Sequence, residues 1–550
     1  MAQSWFKRHP LGIYPRGNAK NLDELVSPRF GILSTLQFAS KGRAGKCCIL
    51  GSQPAEEAFV DVMLHLLSFV AVDDMCRLSA VCTGWYCFIH ASDAFKQAHG
   101  LLSPTYTCFE GSWKETAIRR FIKLRSKQRL NTAKRMRLEG GTPGVGETVN
   151  LSHRPVMVKR AFYNDQLFQA WMCTILPCHY HLRQSSIAGT ATANRQPSVL
   201  SARGRYRSPL KEVPRCSGLS VDEFRTRFEE TNLPVIIADV ATEWPIYKIL
   251  QEKFENLAVM QKKLFRPGTR PDVPMCCEHT TMSVADYVRY ARDQTDERPI
   301  YLFDSEFGTF MDVESLYTVP EYFSRDDFFK VLGGARPKYR WIIAGPRRGG
   351  SSFHVDPNYT SAWNANLTGL KRWILLPPGH TPAGVFPSED MSEVVTPVSL
   401  TEWLLNHYDA TVEKWRDVAY ECVCGPGDIM FIPCGWWHFV INLEDSVAIT
   451  QNYVSKCNLS SVLKFLSVMK SSISGIDEDV DNCDTSRMVE TRRANFAEEF
   501  AAAMHLSYPE LMQTVAGEAK REAEERHEKK KMRAALPLLD VGSNGFAFSF

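Results

Sequence analysis

Residues 351–376 read SSFHVDPNYTSAWNANLTGLKRWILL, and this stretch decides the fold. It contains an HxD triplet, formed by His354 and Asp356, followed by two strand-length apolar runs. Side chains alternate between the two faces of a strand, so residues two apart point the same way. If the triplet lies in a strand, both side chains can contact one ion. A polar loop that holds both residues by chance is the alternative.

A third candidate ligand lies in DIMFIPCGWWHFVINL (residues 428–443), where His438 sits in an aromatic-rich, strand-like run. Two histidines and one carboxylate on one side of a metal leave coordination positions open, and this arrangement suits non-haem Fe(II). His354, Asp356 and His438 are therefore candidate metal ligands, provided that the fold returns His438 to the same end of the sheet.

From Val213 onward the chain consists of short β-rich runs between Gly/Pro turns, with amphipathic helical segments such as SVADYVRYARD. The strand-like runs are PVIIADV, PIYLFD, YRWIIAG, KRWILLPP, DIMFIP, HFVINL and SVAITQNYV. Many short strands in series favour a double-sheet jelly roll of the cupin type. The expected fold class is therefore α+β, with flanking helices.

The composition excludes several classes of protein. No run of about 18 apolar residues occurs, and the first residues lack the apolar region of a signal peptide, so we expect an intracellular chain that spans no membrane. The 16 cysteines of the 550 residues form no paired CxxC and are expected to be free thiols. A zinc site at Cys178–His181 is the weak alternative. A net charge of +3 says little about partners.

Residues 54–100 have the pattern of a compact helical module. Leu66, Leu67 and Val70 recur at helical spacing, and the text RLSAVCTGWY follows an Asp-Asp turn. We expect the apolar helix face, including Leu67, to be a binding surface. An ordinary helical hairpin packed on the next domain is the alternative.

A basic run from Lys123 to Arg137 reads KLRSKQRLNTAKRMR. Such a run is typical of a nuclear-import signal or a nucleic-acid patch, while a solvated helix face is the plain alternative. We therefore expect a nuclear protein, located only in the nucleus or also in the cytoplasm, and leave direct nucleic-acid binding open.

The sequence divides into six expected segments. They are 1–53 (N-terminal), 54–100 (helical module), 101–182 (connecting), 183–212 (disordered linker), 213–456 (jelly roll) and 457–550 (helical, charged tail).

Longer stretches resemble a known family. HVDPNYTSAWNANLTGLKRW and GDIMFIPCGWWHFVINLEDSVAITQNY are similar to the Jumonji-C family of Fe(II)- and 2-oxoglutarate-dependent dioxygenases, near the bifunctional arginine demethylase and lysyl hydroxylase branch. The module at 54–100 resembles an F-box, although the usual Leu-Pro opening is absent. FYNDQLFQAWMC (residues 162–173) is similar to proteins that combine both parts. The resemblance covers about residues 213–456 closely.

This resemblance implies site residues and cosubstrates. His354, Asp356 and His438 would bind Fe(II), and 2-oxoglutarate and O2 would be cosubstrates. Lys371 would pair with the distal carboxylate of 2-oxoglutarate. Other implied pocket residues are Tyr301, Ser351 (where a threonine is usual), Asn364 and Thr450, and Asn452 would share the face of Thr450.

The resemblance also implies a function. We expect oxidation of arginine or lysine side chains, by demethylation or lysyl hydroxylation, in histones or other nuclear proteins. The F-box-like module would bind a Skp1-type adaptor. The alternative is a substrate receptor of a ubiquitin ligase, in which the jelly roll binds without turnover.

Overall fold

The protein is described by a computed structural model. It describes residues 9–14, 65–81, 83–103, 105–138, 162–163, 165–184, 206–250, 264–388, 391, 393–476 and 483–535. Contacts divide the chain into two compact units. The first comprises Met1–Ser324, Tyr339–Asp356 and Ser361–Asn452, and the second comprises Arg325–Lys338, Pro357–Thr360 and Tyr453–Phe550.

The strands of the described residues are short, as the turn-rich sequence predicts. In chain order they are β1 Ile13–Tyr14, β2 Phe162–Tyr163, β3 Arg183–Gln184, β4 Tyr206–Arg207, β5 Lys211–Glu212, β6 Arg215–Cys216, β7 Val235–Ile237, β8 Met275–Cys277, β9 Thr280–Met282, β10 Leu302–Asp304, β11 Arg340–Gly345, β12 Gly350–His354, β13 Ser361–Thr368, β14 Lys371–Leu376, β15 Phe386–Pro387, β16 Val394–Val395, β17 Tyr420–Cys424, β18 Ile429–Ile432, β19 Trp437–Asn442 and β20 Ser446–Tyr453.

Several helices begin at a capping serine. The Ser283 side chain accepts a hydrogen bond from the Asp286 amide at the start of α8, and Ser399 does the same at the start of α11. The described helices are α1 Val72–Leu78, α2 Thr83–Ala91, α3 Ala94–Leu102, α4 Trp113–Leu138, α5 Asp165–Ile175, α6 Val221–Phe224, α7 Pro245–Leu250, α8 Val284–Asp293, α9 Val313–Leu316, α10 Glu321–Ser324, α11 Leu400–Asn406, α12 Tyr408–Trp415, α13 Leu459–Val468, α14 Cys483–Ser507 and α15 Pro509–Ala535.

Two sheets build the jelly roll. Among the described residues, the larger sheet has nine strands in the order β6-β7-β18-β13-β20-β11-β10-β8-β9, and the smaller has five in the order β12-β19-β14-β17-β5. Most neighbours are antiparallel, and distant parts of the sequence become adjacent, as where β13 pairs with β18. At the turn between β13 and β14, Gly369 has φ +68, and a Cβ there would lie 2.3 Å from the Asp445 carbonyl oxygen. Glycine is therefore required at this position.

The core lies between the two sheets. One buried cluster joins Ile236, Ala362, Met430 and Ile432 of the larger sheet to Trp373, Leu375 and Val440 of the smaller sheet. On β14 and β19 the intervening residues Ile374, Phe439 and Ile441 belong to a second cluster, together with Leu404 and Tyr408 of α11 and α12. The smaller sheet is therefore buried on both faces. One face closes the barrel, and helices cover the other.

The N-terminal helices share a separate core. Leu67, Met75, Phe88 and Phe95 are buried together with residues of α4 and α5, so the packed module extends beyond residue 100. Its contact with the jelly roll is centred on the buried carboxylate of Asp296, which accepts hydrogen bonds from Lys96 Nζ (2.9 Å), Trp113 Nε1 (2.8 Å) and Tyr290 Oη (2.7 Å).

The second unit has its own helical core. Phe496 and Phe500 of α14 are buried together with Phe329, and residues of α13 complete the cluster. A buried ion pair joins Arg336 Nη1 to Asp327 Oδ2 at 2.8 Å. The C-terminal residues up to 535 are thus helical among those described.

The predicted fold class is confirmed: the chain contains a cupin-like double sheet with flanking helices. The predicted disordered linker at 183–212 differs from the structure at both ends. Arg183–Gln184 pairs with Tyr206–Arg207, and Lys211–Glu212 adds a parallel strand to β17, because the backbone groups there find partners despite the polar composition. Residues 185–205 lie outside the described residues. In the described part of the chain, no helix is both long and apolar enough to cross a membrane.

Candidate metal centre and cosubstrate pocket

A β-bulge in β12 sets the direction of His354. Ser351 lies opposite Val440 of β19 and His354 lies opposite His438, so two residues of β12 face one residue of β19 between these pairs. Residues directly opposite each other point to the same side of a sheet. Because Val440 belongs to the core between the sheets, Ser351 and His354 both point into the barrel despite their odd spacing.

The position of Asp356 corrects the strand argument made from the sequence. β12 ends at His354, and Asp356 lies two residues beyond it, immediately before a short 3-10 helix at Pro357–Tyr359. The carboxylate therefore reaches the histidines from a loop, and strand alternation is not what places it. The pairing of β12 with β19 ends at His354, so sheet pairing does not constrain the backbone of Asp356.

The structure brings the three candidate ligands together. One ligand atom from each of His354, Asp356 and His438 lies within 4.8 Å of the others, and this is the one such group of three that the described residues contain. His438 Nε2 lies 4.0 Å from Asp356 Oδ1. The Asp356 Oδ2 atom is buried without a hydrogen-bond partner among the described residues. An oxygen in this state fits a site built to hold a cation.

Backbone carbonyls orient both histidines. His354 Nδ1 lies 2.8 Å from the Ser352 carbonyl oxygen, and His438 Nδ1 lies 3.1 Å from the Trp436 carbonyl oxygen. With Nδ1 as the protonated nitrogen, each ring presents Nε2 as a lone-pair donor. In this tautomer Nε2 is free to bind a metal.

Burial sets the protonation of the triad. Desolvation lowers the pKa of His354 and of His438 to about 4. Desolvation raises the pKa of Asp356 to about 6, against the opposing effects of His354 and of a hydrogen bond from the Asn452 side chain. At neutral pH the imidazoles are thus neutral and the carboxylate is ionised, which are the forms that bind a metal.

Lys371 lies on the inner face of β14. It shares this face with Trp373 and Leu375, is fully buried, and donates a 2.8 Å hydrogen bond from Nζ to the Tyr301 hydroxyl. Within the described residues no carboxylate forms an ion pair with it, and burial lowers the pKa of Lys371 to about 7. A buried ammonium group without a counter-ion fits a pocket for an anionic ligand.

The remaining predicted pocket residues lie on the two sheets that enclose Lys371. Asn364 is on β13, on the side of Ala362, and its Oδ1 atom is buried without a partner among the described residues. Thr450 and Asn452 are two residues apart on β20 and share one face, and Thr450 Oγ1 donates to the Trp363 carbonyl oxygen at 2.9 Å. Ser351 points inward from β12, as the bulge requires. All six positions are compatible with one pocket.

The sequence analysis did not identify two further residues at this pocket, Asn442 and Gly345. Asn442 lies opposite Lys371 in the β14–β19 ladder, and its Nδ2 atom donates to the Gly345 carbonyl oxygen at 3.2 Å. Because Asn442 is four residues after His438 on one strand, alternation could have identified it. Gly345 carries no side chain, so no sequence pattern marks it.

The weak zinc alternative at Cys178–His181 finds no support in the described residues. His181 stacks on Tyr408 with ring centroids 4.5 Å apart, and its Nε2 atom lies 2.9 Å from the Leu404 carbonyl oxygen. Cys178 is buried in the apolar cluster beneath α11. These contacts describe packing, since no group of three metal-ligating side chains forms there.

Comparisons with known proteins agree with the fold. The cupin-like domain family matches residues 221–458. The chain is 40% identical to the arginine-specific demethylase JMJ22 of Arabidopsis thaliana over 66% of this chain and 64% of that protein. It is 35% identical to the bifunctional arginine demethylase and lysyl-hydroxylase psr-1 of Caenorhabditis briggsae, over 46% of this chain and 65% of that protein. It is 29% identical to the 2-oxoglutarate and iron-dependent oxygenase JMJD4 of Mus musculus, over 50% of this chain and 67% of that protein.

The alignment to JMJ22 and the alignment to psr-1 each cover just under two thirds of the relative's length. Residues 221–458 are thus similar to a cupin-like domain, and the two-histidine, one-carboxylate group lies within this range. These relatives are named as demethylases or as a 2-oxoglutarate and iron-dependent oxygenase, which agrees with the resemblance noted in the sequence.

Proposed function

We propose that the chain is an Fe(II)- and 2-oxoglutarate-dependent dioxygenase that oxidises basic side chains of proteins. The observation that carries this proposal is the pairing of two buried features inside one barrel. One is the group of His354, Asp356 and His438, and the other is the uncompensated ammonium of Lys371. A domain that only binds peptides has no need for both.

Each feature has a separate task. His354, Asp356 and His438 would hold Fe(II), which together with 2-oxoglutarate supplies the oxidation of a C–H bond by O2. Lys371 would pair with the distal carboxylate of 2-oxoglutarate, with the Tyr301 hydroxyl holding the ammonium in place. The walls of the pocket exclude water, because Trp373, Trp436 and Val440 are buried around the triad.

The substrate is proposed to be an arginine or lysine side chain of a histone or another nuclear protein. The support for a basic side chain comes from the relatives, which are named as an arginine-specific demethylase and as a bifunctional arginine demethylase and lysyl-hydroxylase. The nuclear protein is proposed from the basic run at 123–137. Oxidation of an N-methyl group gives a hydroxymethyl group that collapses to formaldehyde and the demethylated amine. Oxidation of a methylene carbon leaves the hydroxyl in place.

The test is a turnover assay of the full chain with Fe(II), 2-oxoglutarate and O2 against arginine, methyl-arginine and lysine peptides. Succinate release is expected, together with a peptide mass change of about −14 Da for demethylation or about +16 Da for hydroxylation. His438→Ala should abolish both signals. If the wild-type chain releases no more succinate than this variant while it still binds peptide, the domain is a binding module of a receptor.

We further infer that the N-terminal helices bind a Skp1-type adaptor. Large apolar side chains are exposed on this part of the chain, with Phe69 75% and Leu66 51% exposed. Leu67, the residue that helical spacing pointed to, is instead buried in the core of the module. The docking surface is therefore assigned to Leu66 and Phe69.

Nuclear localisation is proposed from the basic run at 123–137, alone or with a cytoplasmic pool. The run lies on α4, and the Lys123, Arg125 and Lys127 side chains are exposed there. An exposed basic helix can be contacted by an import receptor or by nucleic acid, and direct nucleic-acid binding stays open. Replacing Lys123, Arg125 and Lys127 by alanine should shift a fluorescent fusion to the cytoplasm. An unchanged distribution would return the run to a solvated helix face.

A further inference from the structure

An exposed aromatic pair lies on the larger sheet. The rings of Phe303 and Trp341 are stacked with centroids 5.3 Å apart and an interplanar angle of 26°. Phe303 is 39% exposed, whereas Trp363, Trp373, Trp436 and Trp437 are all buried, as expected for core residues. Part of the Phe303 ring is therefore open to solvent, and the Trp341 ring beside it is partly buried.

Strand register places this pair on the inner face of the sheet. Phe303 lies opposite Ile343 in the β10–β11 ladder, and Trp341 lies opposite Thr450 in the β11–β20 ladder. Ile343 and Trp341 pack with Tyr301 and Ala448 in one apolar cluster. The aromatic pair is therefore continuous with the pocket that contains Tyr301 and Thr450.

Exposure increases along β10 from the pocket outward. Tyr301 is buried and holds Lys371, while Phe303, two residues later on the same face, is partly exposed. Phe303 is therefore more accessible to solvent than Tyr301 on this face. A ligand that contacts Phe303 from solvent would lie on the same face as the pocket residue Tyr301.

The chemistry of the pair favours a cation. Aromatic faces attract Arg and Lys groups, and a planar guanidinium also stacks on the ring. The neighbouring cation on β11, Arg340, lies over the rings of Phe307 and Tyr339, 5.8 and 5.7 Å from their centroids. Within the described part of the chain, no lysine or arginine lies over Phe303 or Trp341.

We propose that Phe303 and Trp341 bind the guanidinium of an arginine side chain in the protein substrate and set the preference of the enzyme for it. This inference rests on the proposed function, since it assigns the side-chain site of that same pocket. It commits to arginine over lysine because the stacked rings offer a plane that an ammonium cannot match.

The test is direct binding to the full chain loaded with Mn(II) and 2-oxoglutarate without O2. Three fluorescent peptides share one sequence and carry arginine, lysine or citrulline at the centre, so that charge and shape are separated. The wild-type chain should bind the arginine peptide most tightly. Trp341→Ala should raise its Kd about tenfold while Trp341→Phe retains most of the affinity. Phe386→Ala removes an exposed ring on β15, outside the two main sheets, and serves as the control.

The outcomes separate the two claims. Equal affinity of the wild-type chain for arginine and citrulline peptides overturns the inference, as does an equal loss for both peptides in Trp341→Ala. If Trp341→Ala does not fold, Phe303→Ala makes the same test. Absence of succinate release by the wild-type chain, with arginine binding intact, overturns the proposed function and leaves the aromatic site standing.

Discussion

Gly345 lies directly beneath the ring of Tyr301. A Cβ atom on Gly345 would lie 2.5 Å from Tyr301 Cδ2 and 2.9 Å from Asn442 Nδ2. Real Cβ atoms do not approach so closely, so the absence of a side chain at position 345 lets the ring lie where its hydroxyl accepts the hydrogen bond from Lys371. Gly345 is therefore a positioning residue for the cosubstrate pocket.

Gly345→Ala is expected to raise the KM for 2-oxoglutarate about tenfold, because the displaced hydroxyl no longer holds a charged group. The effect on kcat should be smaller. Gly334→Ala is the control, since no atom lies within 4 Å of a Cβ there. In a Tyr301→Phe background the alanine should add nothing further, because the hydroxyl is already gone. If the two substitutions raise the KM for 2-oxoglutarate additively, Gly345 acts through general packing and not through the Tyr301 hydroxyl.

The affinity for 2-oxoglutarate should depend on pH through Lys371. Its pKa is lowered to about 7 by burial, so the free protein carries the ammonium below about pH 7 and loses it above. Above that pH, binding of the anion must take up a proton, and the affinity should fall about tenfold per pH unit. Calorimetry in the presence of Mn(II) from about pH 6 to about pH 9 measures this. In Lys371→Arg the side chain stays protonated, so the affinity should no longer fall with rising pH. A wild-type affinity that does not change with pH would refute the role of Lys371.

The outer face of the smaller sheet contains a buried ion pair. Arg372 is fully buried and its Nε atom donates to Glu421 Oε1 at 2.6 Å, while Nη1 donates to the carbonyl oxygens of Cys178 and Tyr180. Glu421→Ala leaves this guanidinium without a counter-ion and is expected to lower the free energy of unfolding by about 3–5 kcal/mol. Urea denaturation measures the loss.

The matched control for this pair is Glu243→Ala. Glu243 pairs with Lys248 at 3.1 Å, and both side chains are mostly exposed, at 84% and 62%. Its removal should change stability by less than about 1 kcal/mol. A loss of similar size in both variants would mean that burial does not determine the cost at Arg372.

Adaptor binding is predicted to depend on Phe69. Phe69→Asp should abolish recovery of a Skp1-type adaptor in a pull-down while the melting temperature stays within about 2 °C of the wild-type value, because exposed positions tolerate substitution. Leu67→Asp should instead unfold the module, since Leu67 is buried in its core. Recovery of adaptor with Phe69→Asp at the wild-type level would leave these helices as an ordinary packed hairpin.

The sequence predicted the jelly roll because alternation and turns are local properties. Spacing and resemblance to a family also pointed to His354, Asp356 and His438, which the structure brings together, while the roles of the pocket residues stay predictions. It did not predict the bulge between Ser351 and His354, since an extra residue in a strand has no composition of its own. Nor did it predict that Asp356 approaches from a loop.

The sequence also did not predict contacts between distant parts of the chain. Lys96 and Asp296 are 200 positions apart, and their hydrogen bond joins the helical module to the jelly roll. Leu66 and Leu67 have equal hydropathy, and only packing determines which of the two is buried. Such choices depend on tertiary neighbours that a single sequence does not name.

The central claim is that His354, Asp356 and His438 together bind Fe(II). The most direct test is the iron content of the full chain after anaerobic loading and gel filtration, compared among the wild-type chain, His438→Ala and the control His505→Ala, whose histidine is exposed on α14. We predict about one Fe(II) per chain for the wild type and the control, and less than about a tenth of that for His438→Ala, with all three proteins folded. Wild-type iron content in folded His438→Ala would contradict it.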